Sequence, residues 1–185
     1  MKLKKFNYKR VNSTNDIAIK IIKNSNHKFG IIVADVQNKG KGQHGKNWIS
    51  YKGNLFVSIF FSLDKINLSL KEMTKVNCFL VKKILSRYSK TKITIKFPND
   101  LIIDKKKFCG ILQETLKKNN TNYFVVGIGV NLVKNPKIKN YPTTKLLDHT
   151  KLKINRNNII SKLKTIYENF ISKSYKINLK SISET

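Results

Sequence analysis

Two apolar runs, separated by a stretch with no room for a helix, constrain this chain most. Residues 29–37, with Gly30-Ile31-Ile32-Val33-Ala34-Asp35-Val36 at their centre, and residues 55–63 each read as a buried strand. Between them lies Gly40-Lys41-Gly42-Gln43-His44-Gly45-Lys46-Asn47-Trp48. Its first six residues match G-x-G-x-x-G, and Asp64 lies at about the right distance downstream for a ribose-binding acid. A dinucleotide fold, however, needs that motif to open a helix whose N-terminus holds the pyrophosphate. Lys46 to Asn54 lacks helical apolar spacing and runs directly into the Leu55 strand, so the dinucleotide reading fails. The loop reads instead as a flexible lid. Its glycines permit positive φ, Lys39, Lys41 and Lys46 offer charge to a phosphate, and Trp48 can anchor the far end in apolar surroundings. Such a loop can close over a phosphorylated intermediate and exclude water. Taken alone it is also compatible with an ordinary lysine-bearing surface loop.

The remaining elements follow the same logic. Phe6 to Val11 reads as a short strand, and Asn12-Ser13-Thr14-Asn15-Asp16 supplies capping oxygens for a helix carrying Ile17, Ala18, Ile21 and Ile22. Ser69 caps a second helix to about Tyr88, with Met73, Val76, Leu80 and Ile84 on one face. Ile93, Ile95 and Phe97 alternate with polar residues as a half-exposed strand that Pro98 ends. Leu101 to Lys107 reads as a strand and a tight turn, and residues 108–116 and 122–133 pair as a hairpin. Asn155 caps a last helix through Phe170. These elements predict an α+β domain with a mixed, largely antiparallel sheet and helices packed on one face. The domain is expected over residues 1–172, with a short C-terminal tail at 173–185.

A net charge of +28 over 185 residues first suggests nucleic acid. The lysines are spread along the chain rather than gathered into a stripe, and arginine occurs only at 10, 87 and 156, which favours solvated lysines over a selected binding face. No apolar run approaches the roughly 18 residues of a membrane span, and the charged start lacks the apolar stretch of a secretory signal. Cys78 and Cys109 lie far apart among apolar neighbours and read as reduced core residues. His27, His44 and His149 have no zinc-ligand spacing, and no metal-binding residue is expected.

Several further residues invite a functional reading. Lys96, near a strand end, is either solvated or aimed at an anion. Gly110, Gly127 and Gly129 weaken good strands unless something approaches closely. Gly127, Gly129 and Asn131 share one side of their strand, as a smooth floor with a polar rim or as bulges. Ser13, Thr14 and Asn15 can combine capping with contacts to a ureido-type headgroup, and Gln37 can donate and accept in the same pocket.

In their order, Ser13-Thr14-Asn15, Gln37 before the glycine loop, Lys96-Phe97-Pro98-Asn99-Asp100, Lys107-Phe108-Cys109-Gly110-Ile111-Leu112-Gln113-Glu114 and Val126-Gly127-Ile128-Gly129-Val130-Asn131 resemble the catalytic domain of the biotin–protein ligases. That family adenylates biotin with ATP and passes it to a lysine of a carrier protein. The resemblance implies a class II synthetase-like, biotin–lipoyl ligase fold, with ATP and Mg2+ as cofactors. It also implies a biotin carboxyl carrier domain as partner and a cytoplasmic location, with no specific nucleic acid and no membrane. Homodimer formation through a sheet edge is left open. Ser13, Thr14, Asn15, Gln37, Lys41, Gly42, Gln43, Gly110, Gly127 and Gly129 would bind biotin. Lys41, Gly42, Gln43, His44, Gly45, Lys46, Trp48, Lys96, Asn99 and Asn131 would bind ATP or the adenylate. Lys96 would be the catalytic residue, touching the biotin carboxylate and then the phosphate.

The chain departs from the family pattern in places. Lys41 and Lys46 replace arginines, whose guanidinium fork an ammonium does not reproduce on phosphate. His44 is an unusual loop residue, and Phe97 replaces a tryptophan. Neither the family's C-terminal barrel nor the N-terminal helix-turn-helix of its repressor members is expected here. Two other readings compete. Lipoate or octanoate transfer shares the fold and predicts stabilisation by lipoate rather than biotin. A non-catalytic nucleic-acid-binding module predicts affinity that falls steeply with salt.

Overall fold

In the computed structural model, which describes the backbone of residues 1–183 and side chains through residue 174, seven strands form one sheet. They are β1 (Lys4–Val11), β2 (Phe29–Gln37), β3 (Leu55–Ser62), β4 (Thr94–Lys96), β5 (Asp100–Ile103), β6 (Lys106–Lys118) and β7 (Thr121–Val130). The helices are α1 (Thr14–Asn24), α2 (Leu70–Leu85) and α3 (Arg156–Ser183). The strand order is β1-β2-β3-β7-β6-β5-β4. Only β1 and β2 are parallel, joined across α1, and every other pair is antiparallel. This is the mixed, largely antiparallel sheet that the spacing predicts. α3 takes in much of the segment read as a tail at 173–185, whose last two residues lie outside the described residues.

The helices are not all on one face. α2 and α3 share a core with Ile31, Val57, Ile59, Val126 and Ile128, whereas Ala18 and Ile22 of α1 pack with Ile32, Phe60 and Val125. Neighbouring residues of one strand point to opposite faces, so α1 covers the reverse side. The reason lies in β2 and β3. Residues 30–34 are buried without alternation, and so is all of β3. Such strands need cover on both faces.

Local chemistry sets the boundaries. Ser69 and Glu72 form a reciprocal capping box at α2, and Asn155 accepts from the Asn158 N–H at the start of α3. Asp104-Lys105 and Asn119-Asn120 hold positive φ in two-residue turns that close the β5–β6 and β6–β7 hairpins. β4 stops at Lys96, leaving Phe97 53% exposed instead of extending the half-buried face expected of it. Ser13 occupies the N-cap position of α1, but its side chain makes no capping bond. The Thr14 N–H donates to Gln37 Oε1 at 2.8 Å instead, so the cap of α1 comes from the end of β2.

The connection after β7 is pinned to the sheet. Buried Asn54, just before β3, accepts the N–H groups of Leu132, Val133 and Lys134 on one oxygen at 3.0, 3.0 and 3.1 Å. Its amide donates to Lys134 O at 2.7 Å. Further along, the Lys107 N–H donates to Pro142 O and Lys107 O accepts from Thr144, both at 2.9 Å. Residues 142–144 therefore lie along the start of β6.

Candidate active site

The centre of the sheet presents a glycine patch toward α1 and the lid. Gly110 pairs directly with Gly129 across β6 and β7, and Gly127 is next on the same side. A Cβ at Gly129 would stand 2.5 Å from Trp48 Cε2, and one at Gly110 would stand 2.7 Å from Trp48 Cζ3. The indole thus lies flat on the floor where the sequence places glycines. A Cβ at Gly127 would stand 2.4 Å from Asn15 Oδ1.

Beside this floor the end of α1 carries a polar cluster. Ser58 Oγ lies 2.7 Å from Thr14 Oγ1 and 2.5 Å from Asn15 Oδ1, and its one proton serves either acceptor. Asn15 Nδ2 donates to Glu114 Oε2 at 2.6 Å, and Thr14 Oγ1 donates to Gln37 Oε1 at 3.0 Å. Ser13, Thr14, Asn15 and Ser58 are all buried. Such a cluster can exchange donors and acceptors with a ligand amide or ureido group while its outer partners hold it in place.

A cavity of about 50 Å³ lies between cluster, floor and lid. Of the residues expected from the sequence, Ser13, Thr14, Asn15, Gln37, Lys41, Gly42, Gln43, Trp48, Asn99, Gly110, Gly127 and Gly129 line it. That volume suits one or two waters, so a bicyclic ligand requires the indole to withdraw. A second cavity of about 450 Å³ adjoins it, bounded by lid residues 42–44 and 46–49, by Asn99, Asp100 and Lys107, and by Asn131 and parts of the 136–143 loop. Among the described residues, three buried polar atoms at these cavities make no hydrogen bond: Trp48 Nε1, Asn131 Oδ1 and Asp100 Oδ1, the last of which has only an ion pair with Lys107. The first two, an unpaired buried donor and acceptor, are costly, and a bound polar ligand would satisfy both.

The lid closes on itself. Trp48 N donates to Gly40 O at 2.8 Å and Gly42 N to Lys46 O at 2.6 Å, with His44 at φ 54° in the turn. Lys41 pairs with Asp16 of α1, and that hydrogen bond pushes the ammonium above its ordinary pKa, against a smaller opposing effect of burial. Lys46 and His44 face the larger cavity, while Gly45 lines neither cavity.

The lysines are arranged differently from the expectation. Lys96 is exposed and lines neither cavity. Its ammonium sits 5.3 Å from the ring centre of Tyr141, a wall residue of the larger cavity. Lys107 lines both cavities, 5.5 Å from the Trp48 ring and 5.5 Å from the Tyr141 ring. Its Nζ stands 2.7 Å from Oδ1 of buried Asp100, whose Oδ2 accepts from Tyr141 Oη at 2.5 Å. Sequence reasoning missed Lys107, Ser58, Asp100 and Tyr141 as site residues. The signal for Lys107 was its place at the head of the Lys107–Glu114 segment. Tyr141 sat in a loop with no pattern to single it out.

Known proteins supply an independent comparison. Residues 8–131 match the biotin/lipoate A/B protein ligase family, so the chain belongs to that family. Among its relatives, the bifunctional ligase/repressor BirA of Escherichia coli is 30% identical over 102 residues, covering 54% of this chain and 32% of BirA. The chain thus spans about a third of that relative's length. The biotin protein ligase of Aquifex aeolicus, solved with biotin and ATP, superposes with a TM-score of 0.73 at 26% identity, covering 98% of this chain and 72% of that one. The Leishmania major biotin protein ligase, solved with biotinyl-5-AMP, gives 0.79 at 19% identity, covering 98% and 80%, and bears on the fold alone. Among the described residues no helix is long and apolar enough to cross a membrane, and no group of three or more His, Cys, Asp or Glu could hold a metal ion.

Proposed function

We propose that this chain adenylates biotin with ATP and transfers biotin from the adenylate to a lysine of a biotin carboxyl carrier domain. The observation that carries the reading is the pair of adjoining cavities with Lys107 in their common wall. The smaller one ends in a donor–acceptor cluster suited to a ureido ring. The larger one has room for a nucleotide and is bordered by Lys46, Lys107 and Lys139.

In this reading Ser13, Thr14, Asn15 and Gln37 bind the headgroup, and Gly110, Gly127 and Gly129 form the floor. Lys41, Gly42, Gln43, His44, Gly45, Lys46 and Trp48 close over the adenylate, with Asn99 and Asn131 on the opposite wall. A carboxylate oxygen attacks the α-phosphorus and pyrophosphate leaves. Both reactants are anions, so positioned ammonium groups lower the barrier. Lys107 meets the carboxylate, and Lys96 reaches the developing phosphate charge from the far side of Tyr141. In the second step the carrier amine attacks the acyl carbon of the mixed anhydride and AMP leaves, which requires proximity rather than a protein nucleophile. Among the described residues Asp100 is the one acidic residue lining the larger cavity, and Lys107 and Tyr141 already engage it. The chain's own donors therefore do not fit a magnesium cage, and Mg2+ enters with the triphosphate as part of the substrate.

The catalytic unit extends past residue 172, because α3 runs unbroken through that point, and it acts in a reducing, cytoplasmic compartment, in keeping with two free, buried thiols. The deciding experiment incubates the chain with ATP, Mg2+ and either biotin or lipoate and detects the acyl-AMP by mass spectrometry. Biotinyl-AMP is expected. Lipoyl-AMP alone would transfer the assignment to the lipoate branch of the family, and the absence of both products would refute adenylation.

A further inference from the structure

The loop after β7 lines the larger cavity with several residues, and among them the geometry points to Tyr141 as a positioning residue that sets how tightly Asp100 holds Lys107. This inference rests on the adenylation reading. Tyr141 stands at the centre of three charged groups. Its hydroxyl donates to Asp100 Oδ2 at 2.5 Å, and its ring lies 5.3 Å from Lys96 Nζ and 5.5 Å from Lys107 Nζ. Lys107 Nζ is 2.7 Å from the other oxygen of the same carboxylate. Asp100 is 6% exposed, so water competes little for its lone pairs, and its charge is divided between one neutral donor and one cation.

That division has a chemical consequence. A lysine that must meet an incoming anion cannot be fully claimed by its own carboxylate. The phenol takes up one oxygen of Asp100 and leaves a single-point contact for Lys107 on the other. Without the hydroxyl, the carboxylate is free to turn both oxygens to the ammonium and draw it back from the wall of the two cavities. The backbone supports the same coupling. Lys107 exchanges both of its main-chain hydrogen bonds with Pro142 and Thr144, next to Tyr141, so loop and lysine move together. Burial first, and then the bond to Asp100, push the phenol up to about 12, so it remains a donor well into the alkaline range.

The test is a double-mutant cycle on the full chain with Tyr141→Phe, which keeps the ring, and Asp100→Asn, which removes the charge. The first readout is the acylation rate of the Lys107 amine by acetic anhydride, mapped by mass spectrometry and normalised to lysines outside the cavities. Tyr141→Phe is expected to slow Lys107 acylation roughly threefold, a coupling size usual for contacting residues. Asp100→Asn is expected to speed it, and the double variant should match Asp100→Asn. The second readout is biotin-dependent ATP–pyrophosphate exchange. In Tyr141→Phe, kcat should fall about tenfold while KM for biotin stays within about twofold, because the headgroup cluster is untouched. Unchanged Lys107 reactivity in Tyr141→Phe, or effects of the two substitutions that simply add, would overturn the inference. Absence of exchange in the unsubstituted chain would sink the adenylation reading, and the acylation cycle would still decide the role of Tyr141.

Discussion

Replacing Gly127 by alanine tests the site and the fold together. The new methyl would sit 2.4 Å from Asn15 Oδ1 and 3.0 Å from its Cγ, about an ångström inside ordinary contact for the oxygen. Asn15 is poorly able to retreat. Its oxygen receives Ser58 Oγ at 2.5 Å and its amide donates to Glu114 at 2.6 Å. Displacing the side chain forfeits one neutral hydrogen bond, worth about 1 kcal/mol, and one to a carboxylate, worth about 2 kcal/mol. The expected destabilisation is therefore about 3 kcal/mol, and for a chain of this size the melting temperature should fall by roughly 6–12 °C. Thermal unfolding checks this, and calorimetry should show weaker biotin binding in parallel. A second background sharpens the test. In Asn15→Ala the obstacle is gone, so adding Gly127→Ala should cost less than about 0.5 kcal/mol. Equal costs in the two backgrounds would refute the claim that Asn15 dictates glycine at 127. A variant with unaltered melting and biotin affinity would refute the geometry itself.

Other expectations are more direct. Lys107→Ala should lower the rate of adenylate formation by about 10²–10³-fold, the scale of a deleted charge-stabilising donor. Because the Lys96 ammonium lies outside both cavities, Lys96→Ala should lower it less and without unfolding the protein. Pyrophosphate-exchange kinetics check both, and full activity in Lys107→Ala removes it from the mechanism. Asn54→Ala strips an acceptor from three consecutive N–H groups and should cost about 3 kcal/mol; a denaturant midpoint equal to that of the native chain counts against the clip. Burial pushes the Cys78 thiol up to about 11 and that of Cys109 well above its ordinary range. Both should therefore resist iodoacetamide at pH 8 when folded and react in denaturant, as counted by mass spectrometry. Because the folded pKa of Cys78 is raised, its contribution to stability is complete below the unfolded value of about 8.5 and is lost as pH rises through about 11. Cys78→Ser should accordingly flatten the alkaline side of the stability curve.

What could be read from the sequence was what local pattern encodes. The apolar runs of β2 and β3 announced themselves, and so did the caps of α2 and α3, because each signal is complete within a few residues. The side of the sheet taken by α1 was not legible from the helix, whose pattern only says that one face is buried. It is implied by β2 and β3, whose unbroken burial demands two covers. Lys107 was hidden by its neighbours. It ends a run of three lysines, and the register shift between Leu101 and Ile102 helps decide which of them turns inward. Asn54 and Tyr141 find their partners about 80 and 41 positions away, and nothing near either residue marks it. The glycines were legible as a question, floor or bulge. Only the placement of Trp48 and Asn15 against them answers it.

The two cavities are better understood as one reaction path interrupted by the lid. They share Gly42, Gln43, Trp48, Asn99 and Lys107. In the proposed chemistry the biotin carboxylate and the α-phosphate must meet at the wall these residues make. As the chain stands, the Trp48 indole fills the floor and leaves about 50 Å³ beside the headgroup cluster. Its buried N–H goes unpaired there. Entry of the ligand must therefore lift the indole, and that motion has a consequence for Lys107. The ammonium loses the aromatic face 5.5 Å away at the moment an anion arrives to replace it. A cation–π contact of this kind is worth about 0.5–1 kcal/mol when partly exposed, small beside a charge-assisted bond to carboxylate. The exchange therefore favours ligand. Trp48→Ala should on this argument open the headgroup cavity and speed biotin entry, yet slow adenylation because the lid can no longer seat over the product. Stopped-flow binding and single-turnover chemistry separate the two effects, and a variant that binds and reacts at native rates would show that the indole is not the gate.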